Sequence, residues 1–135
     1  MHPYQNAEET YSGATSLYKA GNYRMSVTLS CLAVELFLKS KLDMVEHDVR
    51  LETSHDIIGI YRILTTKFTD TQRLTKKIGL LRKYYNDSRY PATGTAIYTS
   101  GFAEEFLSYV SEVKQFIDTD CLADINDLTK KFGKP

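Results

Sequence analysis

Residues 23–45 read YRMSVTLSCLAVELFLKSKLDMV, and this stretch decides the fold. At helical spacing Met25, Val27, Leu29, Leu32, Val34, Leu36, Phe37, Leu38 and Leu42 cover most of the circumference. A helix that is apolar nearly all round belongs at the centre of a helical assembly, because it has no face to give to water. Two strips interrupt the apolar surface. Ser26, Ser30 and Ala33 fall at i, i+4 and i+7, a line of small side chains along which a neighbouring helix can approach closely. Arg24, Thr28, Glu35 and Lys39 form a second, polar strip. Within it Glu35 precedes Lys39 by four residues, the favoured order for a helical ion pair. On an exposed face such a pair contributes only ~0.3–0.5 kcal/mol. Beside apolar surface it requires further partners to offset desolvation.

Four more apolar stripes surround the central one. Upstream, Tyr4, Ala7, Tyr11, Ala14 and Tyr18 define a helix that Gly21-Asn22 should stop. Downstream, residues 46–54 are polar and read as a loop. Thr53-Ser54-His55-Asp56 matches a capping box, with Thr53 as the N-cap, ahead of Ile57, Ile60, Tyr61, Leu64 and Phe68. A fourth helix is expected after Thr69-Asp70-Thr71, through Leu74, Ile78, Leu81 and Tyr85. It should end near Arg89-Tyr90, because a residue preceding proline is pushed out of the α region. Residues 91–101 read as a loop. The fifth stripe is Phe102, Phe106, Tyr109, Val113 and Phe116, with Glu104 and Glu105 near the positive helix start. The expected class is all-α: an up-down bundle of four long helices plus a short accessory or C-terminal helix. Residues 1–120 form the bundle. Residues 121–135 form an extension, with a short helix around Leu122, Ile125 and Leu128 before a frayed tail.

Composition narrows the function classes. At 135 residues one domain is expected, with three Pro, seven Gly and no net charge. The two cysteines, Cys31 and Cys121, make no disulfide framework and no zinc motif. Together with a start that lacks signal-peptide character and the absence of a membrane-length apolar run, they point to a reduced cytoplasm. The histidines, His2, His47 and His55, show no metal-binding pairing, and neither metal nor cofactor is expected. No glycine-rich phosphate loop occurs. Charge is unevenly spread: residues 62–89 hold eight Lys and Arg against Asp70 and Asp87. That is either a local positive face or ordinary solvated helix surface.

The strongest chemical constellation is Arg82, Tyr85, Asn86, Arg89 and Tyr90. Spacings of four and seven put Arg82, Asn86 and Arg89 on one helical face, with Tyr85 at its margin. Arginine offers bidentate recognition of phosphate, and tyrosine offers a stacking plane for a base. The competing reading is a solvated arginine face with Tyr85 in the core and Tyr90 anchoring the loop. His55, near a helix start, suits either anion binding or local capping and packing.

Several blocks in order resemble the HEPN family (higher eukaryotes and prokaryotes nucleotide-binding). They are Ala20-Gly21-Asn22-Tyr23, Ala33-Val34-Glu35-Leu36-Phe37-Leu38-Lys39, Ser54-His55-Asp56-Ile57, Leu81-Arg82-Lys83-Tyr84-Tyr85 and Arg89-Tyr90-Pro91. The likeness spans roughly residues 4–118. It implies a bundle that usually forms a homodimer, often accompanies a minimal nucleotidyltransferase, and sometimes serves as the toxin of a toxin–antitoxin pair. Many members are metal-independent ribonucleases with an Arg followed four to six residues later by His, late in the domain. Here no histidine follows His55, so neither Arg82 nor Arg89 has that partner. Arg50 and His55 match the spacing but lie in the wrong block, and the match is read as coincidence.

The expected function is therefore a non-catalytic nucleotide- or RNA-binding module. Arg82, Tyr85, Asn86, Arg89 and Tyr90 would contact the ligand, and Glu35, Lys39 and His55 would order the pocket. The alternatives are a ribonuclease toxin with a nonstandard site, and a purely structural interaction protein.

Overall fold

The computed structural model describes residues 3–45, 55–68, 73–91 and 94–121. The five apolar stripes become five helices: α1 (Pro3–Lys19), α2 (Tyr23–Val45), α3 (Ile57–Phe68), α4 (Thr75–Arg89) and α5 (Ser100–Gln115). α5 runs on into a π-helical turn, Phe116–Cys121. The short helix expected around Leu122, Ile125 and Leu128 lies outside the described residues.

α2 packs against each of the other four helices, as its all-round apolarity requires. Val27, Ala33, Val34, Phe37, Leu38 and Leu42 are fully buried. Contact registers give the directions. Ala14 meets Ser26, and Tyr4 meets Phe37, so α1 and α2 run antiparallel. Tyr18 meets Glu104 and Tyr4 meets Asp118, so α1 opposes α5. Lys77 meets Glu112 and Tyr84 meets Phe102, so α4 opposes α5. Thus α1, α2, α4 and α5 form the up-down bundle, and α3 is the shorter accessory helix.

The small-residue strip does what its composition suggests. Ser26 donates from Oγ to the Ala14 carbonyl at 2.8 Å, bringing the two backbones together where Ala7 and Ala14 are completely buried. α1 ends in a Schellman turn: Gly21 adopts φ +81°, Asn22 N–H donates to the Leu17 carbonyl at 2.8 Å, and Gly21 N–H to Tyr18 at 3.0 Å. α4 ends at Arg89, and Tyr90 leaves the helical region at φ −134°, ψ 70° ahead of Pro91.

Two local expectations change. α3 starts at Ile57, so Asp56 is itself the cap: its Oδ1 accepts from Gly59 N–H at 3.2 Å. Thr53, expected as the N-cap, lies outside the described residues. α5 begins at Ser100, capped by the Thr99 hydroxyl, which accepts from Phe102 N–H at 3.2 Å. Glu104 and Glu105 therefore sit beyond its first turn and instead accept from the Tyr18 and Tyr109 hydroxyls. The expected Thr69-Asp70-Thr71 start of α4 also lies outside the described residues. The N–H of Leu74, the residue before α4, takes the Tyr61 hydroxyl as its acceptor at 2.9 Å.

Tyrosine burial sets an alkaline limit. Burial, then a hydrogen bond to Glu105, pushes Tyr109 up to about 12. Tyr4, Tyr85 and Tyr98 are raised as well, in each case chiefly by burial. A raised folded-state pKa contributes stability that is whole below the unfolded value near ~10 and is lost as pH climbs through the folded value. Phenolate absorbance should therefore lag behind free tyrosine and rise together with helix loss between about pH 10 and 12. Complete phenolate absorbance by about pH 11 with undiminished circular dichroism would contradict this.

Candidate functional site

Glu35 faces α4 from the middle of α2 and is 3% exposed. Its two carboxylate oxygens go to different partners. Oε2 lies 3.3 Å from Lys39 Nζ, and Oε1 lies 2.9 Å from His55 Nδ1. The pair read from spacing is thus a triad, and the extra partner comes from the residue just before the α3 cap. The burial is one-sided: the His55 side chain is 76% exposed while Glu35 is sealed. The carboxylate acts as a buried anchor for a ring that reaches solvent.

Replacing Lys39 by Met tests that anchor. The buried carboxylate would keep only His55, and the variant is expected to be destabilised by about 2 kcal/mol, less than the ~3–5 kcal/mol of a fully orphaned buried charge. Denaturant unfolding measures it; an unchanged midpoint would mean Glu35 does not rely on Lys39.

His55, Asp56 and Ile57 form one wall of an open cleft of about 290 Å³, and Arg82, Tyr85, Asn86 and Arg89 of α4 form the other. The α4 face behaves as its spacing requires. Arg82 Nη1 stands 3.9 Å from Asp56 Oδ1 across the cleft, with both side chains more than half exposed. Such a contact contributes little to stability and leaves the guanidinium open to another anion. Arg89 is held from beneath: its guanidinium lies 4.2 Å over the Tyr85 ring, and Nε donates to the Tyr85 carbonyl at 3.1 Å. One face of Tyr85 is therefore covered by Arg89 and is not open to a base. Burial, then the nearby Glu35 charge, raises the Tyr85 phenol, so it stays protonated. Tyr90 does not line the cleft. It is 73% exposed, with Arg89 5.7 Å from its ring. Lys39 lies behind Glu35 rather than in the lining.

The rest of the α2 polar strip secures the end of α4. Arg24 Nη1 donates to the Ser88 carbonyl at 2.6 Å, satisfying an open carbonyl of the last turn. Thr28 Oγ1 meets the fully buried Ser88 Oγ at 2.8 Å. Cys31, between Thr28 and Glu35 on this side of α2, feels the Arg89 charge. Burial raises its thiol far above the usual range, so it is no nucleophile. Asp56 and Ile57 are the lining residues that spacing did not single out. Asp56 carried a capping signal and a place in the family-like block Ser54-His55-Asp56-Ile57, and nothing in a linear pattern shows that it faces Arg82.

The fold is an all-α domain: a bundle of four long helices with a short third helix, carrying an acid–lysine pair on α2 and paired arginines on α4. The family model for the HEPN domain matches residues 3–120, and the chain belongs to that family. Membership supports a nucleotide- or RNA-related module in general terms. No curated protein and no solved structure gives a significant match. Among the described residues, no helix is long and apolar enough to cross a membrane.

Proposed function

We propose that this protein is a HEPN module that binds a nucleotide or RNA through phosphate and does not turn it over. The observation that carries the reading is the shared cleft of His55, Arg82, Tyr85, Asn86 and Arg89. Arg82 and Arg89 supply two guanidinium forks for phosphate oxygens. Tyr85 holds Arg89 in place, and Asn86 offers an amide between the two arginines. Tyr90, just outside, is exposed enough to stack on a base. Glu35 and Lys39 order His55 from behind. The module acts as a homodimer, with a minimal nucleotidyltransferase as a candidate partner. Calorimetric titration with AMP and short RNA tests the reading: micromolar to millimolar binding is expected, and no heat with any of them would end it.

One observation favours a second reading, a metal-independent ribonuclease toxin. His55 stands in the arginine cleft with Nδ1 on a buried carboxylate, which leaves Nε2 for proton transfer. This differs from the family's late Arg–His pair, which the chain lacks. Growth arrest relieved by His55→Gln would support turnover. RNA left intact after prolonged incubation would count against it.

A further inference from the structure

Of the described groups that face the cleft, His55 is the one whose ring can carry either one proton or two. The groups around it come from each described element that packs there. From α2 come Glu35, 2.9 Å from Nδ1, and Lys39 on the other carboxylate oxygen. From its own segment comes Asp56, and from α4 come Arg82, Asn86, Arg89 and the protonated Tyr85. Lys39, Arg82 and Arg89 against Glu35 and Asp56 leave one positive charge when His55 is neutral and two when it is protonated.

The Glu35 contact decides what His55 can offer an anion. An ionised carboxylate only accepts hydrogen bonds, so Nδ1 carries a proton in both states. In the neutral ring Nε2 is then a lone pair, which repels a phosphate oxygen. In the charged ring Nε2–H is a donor, and the buried carboxylate stabilises the charge from behind. Phosphate contact at His55 therefore requires the second proton. A phosphate monoester carries about −1.5 to −2 at neutral pH and matches the doubly positive cleft, whereas a diester carries a single charge. The volume, about 290 Å³, is just below the ~300–1,000 Å³ range of small-ligand sites and suits one nucleotide unit rather than a strand.

We propose that the cleft selects a phosphate monoester, held by Arg82, Arg89 and a protonated His55, and takes up a proton as it binds near neutral pH. This rests on the phosphate-binding reading above and adds the ligand's ester class and its proton linkage.

AMP and 3′,5′-cyclic AMP share base and sugar and differ in ester class, so they are the probes. Each is titrated calorimetrically at pH 6.5 and 8.5, and at pH 7.2 in two buffers of different ionisation enthalpy. AMP should bind about tenfold more tightly at pH 6.5 than at 8.5, with uptake of about 0.5–1 proton at pH 7.2. The cyclic diester, with a single charge against the doubly positive cleft, should bind more weakly and with less uptake. His55→Gln should bind AMP weakly at both pH values, with no proton exchange. AMP binding more tightly than 5′-phosphorylated ApA would mark a free nucleotide as the source of the monoester; the reverse would mark a chain end. Equal affinity for AMP and the cyclic diester, with no proton exchanged, would overturn the inference and leave phosphate binding standing. No binding by any probe would remove both.

Discussion

Arg89→Ala should lose about 10- to 100-fold in affinity for AMP, the worth of roughly 1.5–3 kcal/mol for a hydrogen bond to a charged group. The side chain is prepared for that contact before any ligand arrives. Stacking on Tyr85 at 4.2 Å and the Nε bond to the Tyr85 carbonyl fix the guanidinium plane, so little rotamer freedom remains to be lost on binding. The same geometry predicts that Arg89→Lys recovers only part of the affinity: lysine keeps the charge but has neither the fork nor the flat surface that rests on the ring. Stability should change by less than about 1 kcal/mol, because the residue is exposed and its stacking contribution is small. Arg82→Ala should act in the same direction and less strongly, since Arg82 is held only by a 3.9 Å contact with Asp56. Calorimetry on the folded variants decides it, and an unchanged Kd for Arg89→Ala would remove the arginine face from the site.

The bundle was legible because its signals are periodic. Each of the five stripes recurs at helical spacing, and the α1 stop at Gly21 and the α4 stop before Pro91 are written as residues whose backbone preferences favour ending a helix. The α4 face was legible for the same reason: Arg82, Asn86 and Arg89 share a helix, so their spacing alone places them together. Contacts between distant segments were not. That His55 Nδ1 meets Glu35, twenty residues earlier, and that Asp56 faces Arg82, twenty-six residues later, depends on how α3 docks onto α2 and α4. No local pattern encodes that docking. Tyr85 shows the limit from the other side. Its type suggested a base-stacking plane, but the helix brings Arg89 back over the ring, and i, i+4 geometry turns it into a support for the guanidinium.

Phe37→Ala is expected to produce the largest loss of stability, about 3–5 kcal/mol, a sizeable share of the ~5–15 kcal/mol that holds a typical domain together. Phe37 is fully buried on α2, and its ring meets Tyr4 edge-on at 5.4 Å. Tyr4 in turn donates to Asp118 at 2.6 Å, and Asp118 also binds Lys114 at 2.6 Å, which ties the start of α1 to the π-helical turn after α5. Truncating Phe37 removes the apolar floor of this tie as well as its own buried area, and the surrounding helices can close the void only by moving against α2. The melting temperature should fall by about 10–20 °C for a chain of this size. Phe37→Leu, which keeps most of the volume, should cost about 1.5 kcal/mol or less. Phe37 lies two residues beyond Glu35 on the same helix, so the two variants also separate scaffold from site. If Phe37→Leu remains folded and binds AMP like the parent while Phe37→Ala unfolds, the residue serves the core alone. A loss of under about 1 kcal/mol in Phe37→Ala would mean that α2 is not the packed centre that its all-round apolar surface requires.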